Sequence, residues 1–187
     1  YLAGSDAWAQ RGGDIDGEAA GDKSGYIVSL SDDGSRVAIS SHVNDDGGVD
    51  AGSVRVFSYQ SGSSSWVQLG PIIVGEAAGD LSGWSLALSG SGERVIIGAQ
   101  ANSDSGAGAG HARVFEYVPA HDVWEQLGSD IDGEAAGDSS GLSVSVSSDG
   151  QRVAVGSPLN DGNGVDAGHV KVYQIPFYPT SMPSGEP

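Results

Sequence analysis

WEQLGSDIDGEAAGDSSGLSVSVSSDGQRVAVGSPLNDGNGVDAGHVKVYQI, Trp124–Ile175, decides the fold, because the chain repeats this statement three times. Sliding the sequence by 58 residues lays it on itself without a gap. Trp8, Trp66 and Trp124 coincide, and GEAAGD recurs at Gly17–Asp22, Gly75–Asp80 and Gly133–Asp138. Glu18, Glu76 and Glu134 hold the same register, as do Asp22, Asp80 and Asp138, then Arg36, Arg94 and Arg152, then Asn44, Asn102 and Asn160. Each unit reads as four short strands. The first is Tyr26–Leu30, Trp84–Leu88 or Leu142–Val146, and a tight turn (DDGS, GSGE or SDGQ) leads to a second strand starting at Arg36, Arg94 or Arg152. The third is SVRVFSY, HARVFEY or HVKVYQI, and the fourth opens with WAQRG, WVQLG or WEQLG. No window has helical periodicity, so the chain reads as all-β.

Four short antiparallel strands per 58 residues, with Gly at the corners, are the makings of a β-propeller blade. A stacked solenoid is the competing architecture, but the period is long for one coil and the strands read as a meander. The phase of the ends gives an orphan fourth strand at 7–15, complete blades at 16–73 and 74–131, and a blade at 132–175 that lacks its fourth strand. Three blades alone around an axis would splay by roughly 120°, far more than sheets packed ~10 Å apart tolerate. The expected partners are therefore further blades of the same protein or copies of itself. In that arrangement Trp8-Ala9-Gln10 pairs with His169–Gln174, as Trp66 does with Val54–Tyr59, and Trp8 shares the surroundings of Trp66 and Trp124. Residues 176–187, PFYPTSMPSGEP, break the repeat with linker chemistry.

Composition narrows the function. Eight Lys+Arg against 25 Asp+Glu give a net charge of −17, which argues against nucleic acid and against an anionic membrane surface. Gly accounts for 31 of 187 residues and charged residues for 18%, so this is no solvated acidic tail. The absence of Cys removes disulfides, thiolate metal sites and Cys nucleophiles. No run of 18 apolar residues is available to insert into a membrane. Tyr1 in place of Met leads us to expect that a preceding segment was removed or lies outside this sequence.

Ser140–Gln174 resembles FG-GAP-like repeats, the blades of the integrin α-type propeller, and the WxQLGxDIxGEAAGD preface is similar to secreted forms found in diatoms and related algae. The resemblance implies a propeller that is secreted or at the cell surface, with extracellular protein or polysaccharide as partners. The sequence departs from the family at several points. Ser24, Ser82 and Ser140 replace its Phe, and Gly156-Ser157-Pro158 is the one surviving trace of its Gly-Ala-Pro element. The family's calcium loop between first and second strands is cut to a bare turn, so that site is not carried over.

Hard cations need several oxygens from a Gly-containing loop. The loop after the second strand supplies Asp45, Asp46 and Asp50 with Asn44 in copy one, and Asp161, Asn163 and Asp166 with Asn160 in copy three. Copy two keeps only Asn102 and Asp104. These are the candidate Ca2+ ligands, and the competing reading is that Asp and Asn bond their own backbone there. The linker acids Asp14, Asp16, Glu18 and Asp22 recur as Asp130, Asp132, Glu134 and Asp138. Because Glu18, Asp22, Arg36 and their counterparts appear once per blade, they read as structural: carboxylates accepting turn N–H bonds, and Arg pairing with a carboxylate between blades. GDSSG at Gly137–Gly141 has no helix to form a nucleophile elbow, and GAGAG at Gly106–Gly110 opens no helix for a dinucleotide. His111 and His169 share the phase of Ser53 and read as surface or strand-edge residues. The function expected is a non-catalytic extracellular structural or adhesion module, with a calcium-assisted ligand- or glycan-binding propeller as the alternative and an enzyme third.

Overall fold

The computed structural model describes residues 7–175. It is all-β, with antiparallel blades at the 58-residue period. The first blade contains β1 (Val28–Leu30), β2 (Arg36–Ser41), β3 (Ser53–Gln60), β4 (Ser65–Gln68) and β5 (Ile73–Val74). The second repeats it as β6 (Ser85–Leu88), β7 (Arg94–Ala99), β8 (His111–Val118), β9 (Val123–Gln126) and β10 (Ile131–Asp132). The third has β11 (Ser143–Val146), β12 (Arg152–Ser157) and β13 (His169–Gln174). No helix among these residues is long and apolar enough to cross a membrane.

The hairpin turns form for local reasons. In the first, Gly34 takes a left-handed φ of 64° and the Asp33 carboxylate accepts the Ser35 N–H and the Ser31 hydroxyl. Those bonds, led by the Ser35 N–H, pull the Asp33 pKa down to about 2. The fourth strand is split where the sequence reads as continuous. Phe57 faces Gln68, but Ser53 faces Val74, so the outer strand slips by two residues around Gly70–Ile72. The second blade slips identically, with Phe115 facing Gln126 and Ala112 facing Ile131. This is a bulge, which bends the strand that carries it.

Each blade has two apolar faces. Val95, Ile97 and Phe115 of the middle blade pack against Ala38, Val54 and Val56 of the first. The alternate residues Ile96, Ala112 and Val114 pack against Val153 and Val155 of the third. Burial on both sides removes the period-2 exposure pattern from β7 and β8, whereas β13 alternates half-buried and exposed along its length. The innermost strands β1, β6 and β11 lie in sequence, with Leu88 N–H donating to Ser29 Oγ at 3.0 Å and Ser85 Oγ to Gly141 O at 2.7 Å.

Residues 7–15 form no strand. They pack on the first blade where the outer strand of a preceding blade would lie. Trp66 Nε1 donates to Arg11 O at 2.8 Å, the counterpart of Trp124 Nε1 donating to Leu69 O at 2.8 Å. Gly12, with φ 79°, lies so close to the Trp66 indole that a β-carbon would come within 2.9 Å of it. Ile15 packs on Val37, Ile39 and Phe57. Within the chain Trp8-Ala9-Gln10 does not pair with β13, and Trp8 is 92% exposed against 8% for Trp124, so a single chain does not give Trp8 the surroundings of Trp124. Trp66 and Trp124 rest on Tyr59 and Tyr117 of the third strands before them, and the described residues hold no counterpart of those tyrosines for Trp8.

Candidate functional site

The recurring acids lie on the blade-linking segment, and their partners on the second-strand loop and the third strand. Asp22, Asp80 and Asp138 are all buried, and each accepts a backbone N–H from Ala19, Ala77 or Ala135. Each also accepts the side-chain amide of the Asn 22 residues later, at 3.1 Å (Asn44), 3.2 Å (Asn102) and 2.8 Å (Asn160). Burial works to raise the Asp138 pKa, but Asn160 and the N–H groups of Ala135 and Glu134 outweigh it and hold the carboxyl below its ordinary range. These bonds tie each blade's entry segment to its own second-strand loop.

Glu18, Glu76 and Glu134 meet a cation on the third strand that sequence reasoning missed. Glu18 stands 3.7 Å from Arg55, Glu76 3.4 Å from Arg113, and Glu134 2.6 Å from Lys171. The hydrogen bond from Lys171 draws the Glu134 pKa down and the Lys171 pKa up. The signal was present: a basic residue recurs at this phase in all three copies. Arg55 and Arg113 also donate to the carbonyls of Asp16 and Val74, binding the chain where it enters a blade.

The second-strand arginines act between blades, though on a different partner from the one expected. Arg36 donates to Gly92 O at 3.1 Å and Arg94 to Gly150 O at 2.9 Å, so each grips the hairpin tip of the following blade by a backbone carbonyl. Arg94 is also paired within its own blade with Glu116 at 2.7 Å. Among the described residues Arg152 pairs with Asp149 of its own turn, at 3.6 Å. Arg11 fills the equivalent place ahead of the first blade, donating to Gly34 O at 3.2 Å.

The loop oxygens proposed for Ca2+ bond their own backbone. Asp45 accepts the Asp50 N–H and Asp161 the Asp166 N–H, both at 2.8 Å, while Asn44 and Asn160 accept those of Asp46 and Gly162. Asp50 and Asp166 adopt left-handed φ values of 54° and 52°, typical of turn-forming Asp. Asp45, Asp46 and Asp50 do not form a converging group of three carboxylates. Among the described residues one other set does converge, Glu76 with His111 and Asp130. His111 is fully buried, against the surface position expected of it.

The remaining distinctive surfaces are the two end faces. Val28 and Leu30 on β1 are 61% and 59% exposed, while their counterparts Leu86 and Leu88 are buried against the first blade. Val170 and Val172 on β13 are 69% and 67% exposed, while Val54 and Val56 at the same positions of the first blade are buried. The first blade thus presents the face that receives a preceding blade, and the third the face that receives a following one. Among the described residues no fourth strand pairs with the outer edge of β13.

No family model and no curated protein matches the chain. Among solved structures it is similar to hydrazine synthase of Kuenenia stuttgartiensis, at 15% identity and a TM-score of 0.45, over 79% of this chain and 38% of that one. It is also similar to a candidate 6-phosphogluconolactonase of Bacteroides uniformis, at 14% identity and a TM-score of 0.43, over 78% of this chain and 42% of that one. The chain spans about two fifths of the length of these proteins, and neither likeness bears on its activity.

Proposed function

We propose that the chain is a non-catalytic structural or adhesive propeller module that works outside the cell, where its open faces are closed by further blades of the same kind. Those blades come from the same protein or from another copy. One observation carries the reading: the exposed faces at the two ends are the two halves of the blade-to-blade interface seen twice inside the chain. Docking β13 ahead of β1 would set Val170 and Val172 against Val28 and Leu30, and each such side chain gains about 1.5–3 kcal/mol on full burial. The segment 7–15 already lies where the fourth strand of the incoming three-stranded blade belongs. The completed blade would be shared, its first three strands from one copy and its fourth from the next. Such a contact is heterologous, so repetition gives a ring or a fibre. The resemblance to secreted FG-GAP-like repeats, and an acidity that suits solubility in salt, support placing the module outside the cell. The recurring Asp, Glu and Arg side chains are engaged in bonds within and between blades, which supports a role without turnover.

The register inside the blades gives the test. Phe57 faces Gln68, so Tyr173 should face Gln10 in the shared blade. The chain has no Cys, so the double variant Gln10→Cys with Tyr173→Cys reports that pairing alone. Mild oxidation is expected to give a ladder of cross-linked copies, or a compact cross-linked ring, each collapsing to one species on reduction. A protein that remains uncross-linked and monomeric by analytical ultracentrifugation would refute the shared blade. Hydrolytic turnover lost on changing a single carboxylate would refute the non-catalytic role.

A further inference from the structure

We propose that Glu76, His111 and Asp130 bind one divalent transition-metal ion of the zinc class, a site independent of the end faces. His111 opens β8 with its side chain 1% exposed, and neither ring nitrogen has a hydrogen-bond partner. A buried imidazole without a partner is costly, and here two carboxylates flank it. Its Nδ1 stands 3.8 Å from Glu76 Oε2 and 3.9 Å from Asp130 Oδ2, too far for hydrogen bonds. The three ligand atoms lie within 4.8 Å of one another. A tetrahedral shell with bonds of about 2.0–2.2 Å sets neighbouring ligand atoms about 3.3–3.6 Å apart, so His111 would close on each carboxylate by a few tenths of an ångström and the two carboxylates on each other by at most about 1.5 Å.

The surroundings favour such an ion. Glu76 turns its other oxygen to Arg113, which is held in turn by Val74 O at 2.8 Å, so the guanidinium orients the carboxylate from behind. Two carboxylates against one guanidinium leave the cluster negative. The imidazole ligand selects for zinc-like ions over Ca2+ and Mg2+, which take oxygen. Three protein ligands leave a coordination position for water or an outside group. Glu76 follows β5 as the chain leaves the first blade, and Asp130 precedes β10, which pairs Asp132 with His111. A bound ion would therefore fasten the exit of one blade to the outer edge of the next.

The neighbouring copies supply the control. The first has Ser53 and Ile72 at the positions of His111 and Asp130, so His111→Ser and Asp130→Ile insert residues the blade already accommodates. In the third, His169 Nδ1 stands 3.9 Å from Glu134, and no third ligand joins them among the described residues. The experiment titrates the 187-residue chain with ZnCl2 by calorimetry, with Co2+ absorption as a spectroscopic probe and circular dichroism to verify folding. One site per chain is expected, with visible Co2+ bands that Zn2+ displaces and Ca2+ does not. His111→Ser and Asp130→Ile are expected to weaken binding roughly 100-fold or more while staying folded. Unchanged zinc affinity in both folded variants, an absence of Co2+ bands in the parent chain, or equal competition by Ca2+ would overturn the assignment. Should one variant fail to fold, the other decides.

Discussion

Gly98 and Gly156 occupy the same position of the second strand in consecutive blades, and the blade that follows Gly98 makes them physically different. A β-carbon on Gly98 would overlap the carbonyl oxygen of Gly141 and stand 2.5 Å from Ser85 Oγ. That carbonyl cannot easily retreat: it accepts the Ser85 hydroxyl at 2.7 Å, and the Gly141 N–H is bonded to Gly156 O at 3.1 Å. Overpacking of this kind costs about 1–3 kcal/mol, and losing the Ser85 bond adds about 0.5–1.5 kcal/mol. A gain of about 0.4–1 kcal/mol from the stiffer unfolded chain offsets part of this. Gly98→Ala should therefore destabilise by about 2–3 kcal/mol, or about 4–12 °C in Tm for a unit of this size. A β-carbon on Gly156 would meet only Ser143, at 3.5 Å and beyond. Gly156→Ala should be neutral or stabilising by up to about 1 kcal/mol in a single copy. Where a further blade docks on β13, the same alanine should acquire the penalty of Gly98→Ala and weaken association. Urea denaturation followed by tryptophan fluorescence, run alongside sedimentation, measures both effects. Equal destabilisation by the two substitutions would refute the claim that the following blade creates the difference.

Trp124→Ala should cost about 3–5 kcal/mol, because it removes a buried indole and the bond to Leu69 O, whereas Trp8→Ala should stay within about 0.5 kcal/mol in an unassembled chain; comparable losses would contradict the burial described. The Asp138 carboxyl is depressed in the folded protein, so its contribution is complete above the ordinary value of 3.8 and is lost as the pH falls through the folded value. Asn160→Ala should move acid unfolding to higher pH and cost about 1–3 kcal/mol at neutral pH, and an unmoved acid transition would count against the Asn160–Asp138 bond. Leu81 sits at a left-handed φ of 57°, so Leu81→Gly should stabilise by about 0.5–1 kcal/mol, as thermal melts would report; a fall in Tm would show that packing of the leucine outweighs its strain.

The first three strands of each blade were legible because Asp/Gly turns and alternating apolar residues act locally. The split of the fourth strand was not, because a two-residue slip at Gly70–Ile72 depends on what the outer strand meets in the next blade. The same division runs through the site residues. Asp22 and its counterparts could be read as acceptors of turn N–H bonds from their place in GEAAGD, but their tie to Asn44, Asn102 and Asn160 is a matter of packing. Arg36 and Arg94 were legible as inter-blade residues, though not their partner, because a hairpin carbonyl leaves no mark in side-chain chemistry. His111 was read as a strand-edge residue because the cluster exists in one blade only, so the repeat masks it. Glu76 and Asp130 come to it from opposite ends of that blade.

The guanidinium grip on the following hairpin would give an assembly of copies a latch that has to open before it closes. Arg152 is 60% exposed on its side chain and, among the described residues, pairs within its own turn. At the leading end the Gly34 carbonyl is already occupied by Arg11, which must yield or share before a newcomer is gripped. Whichever end of the proposed row grows, each junction joins an Arg152 to a Gly34 that Arg11 already holds, so release of Arg11 would gate growth at both ends alike. Arg11→Ala protein should therefore assemble faster than the parent chain, without favouring either end.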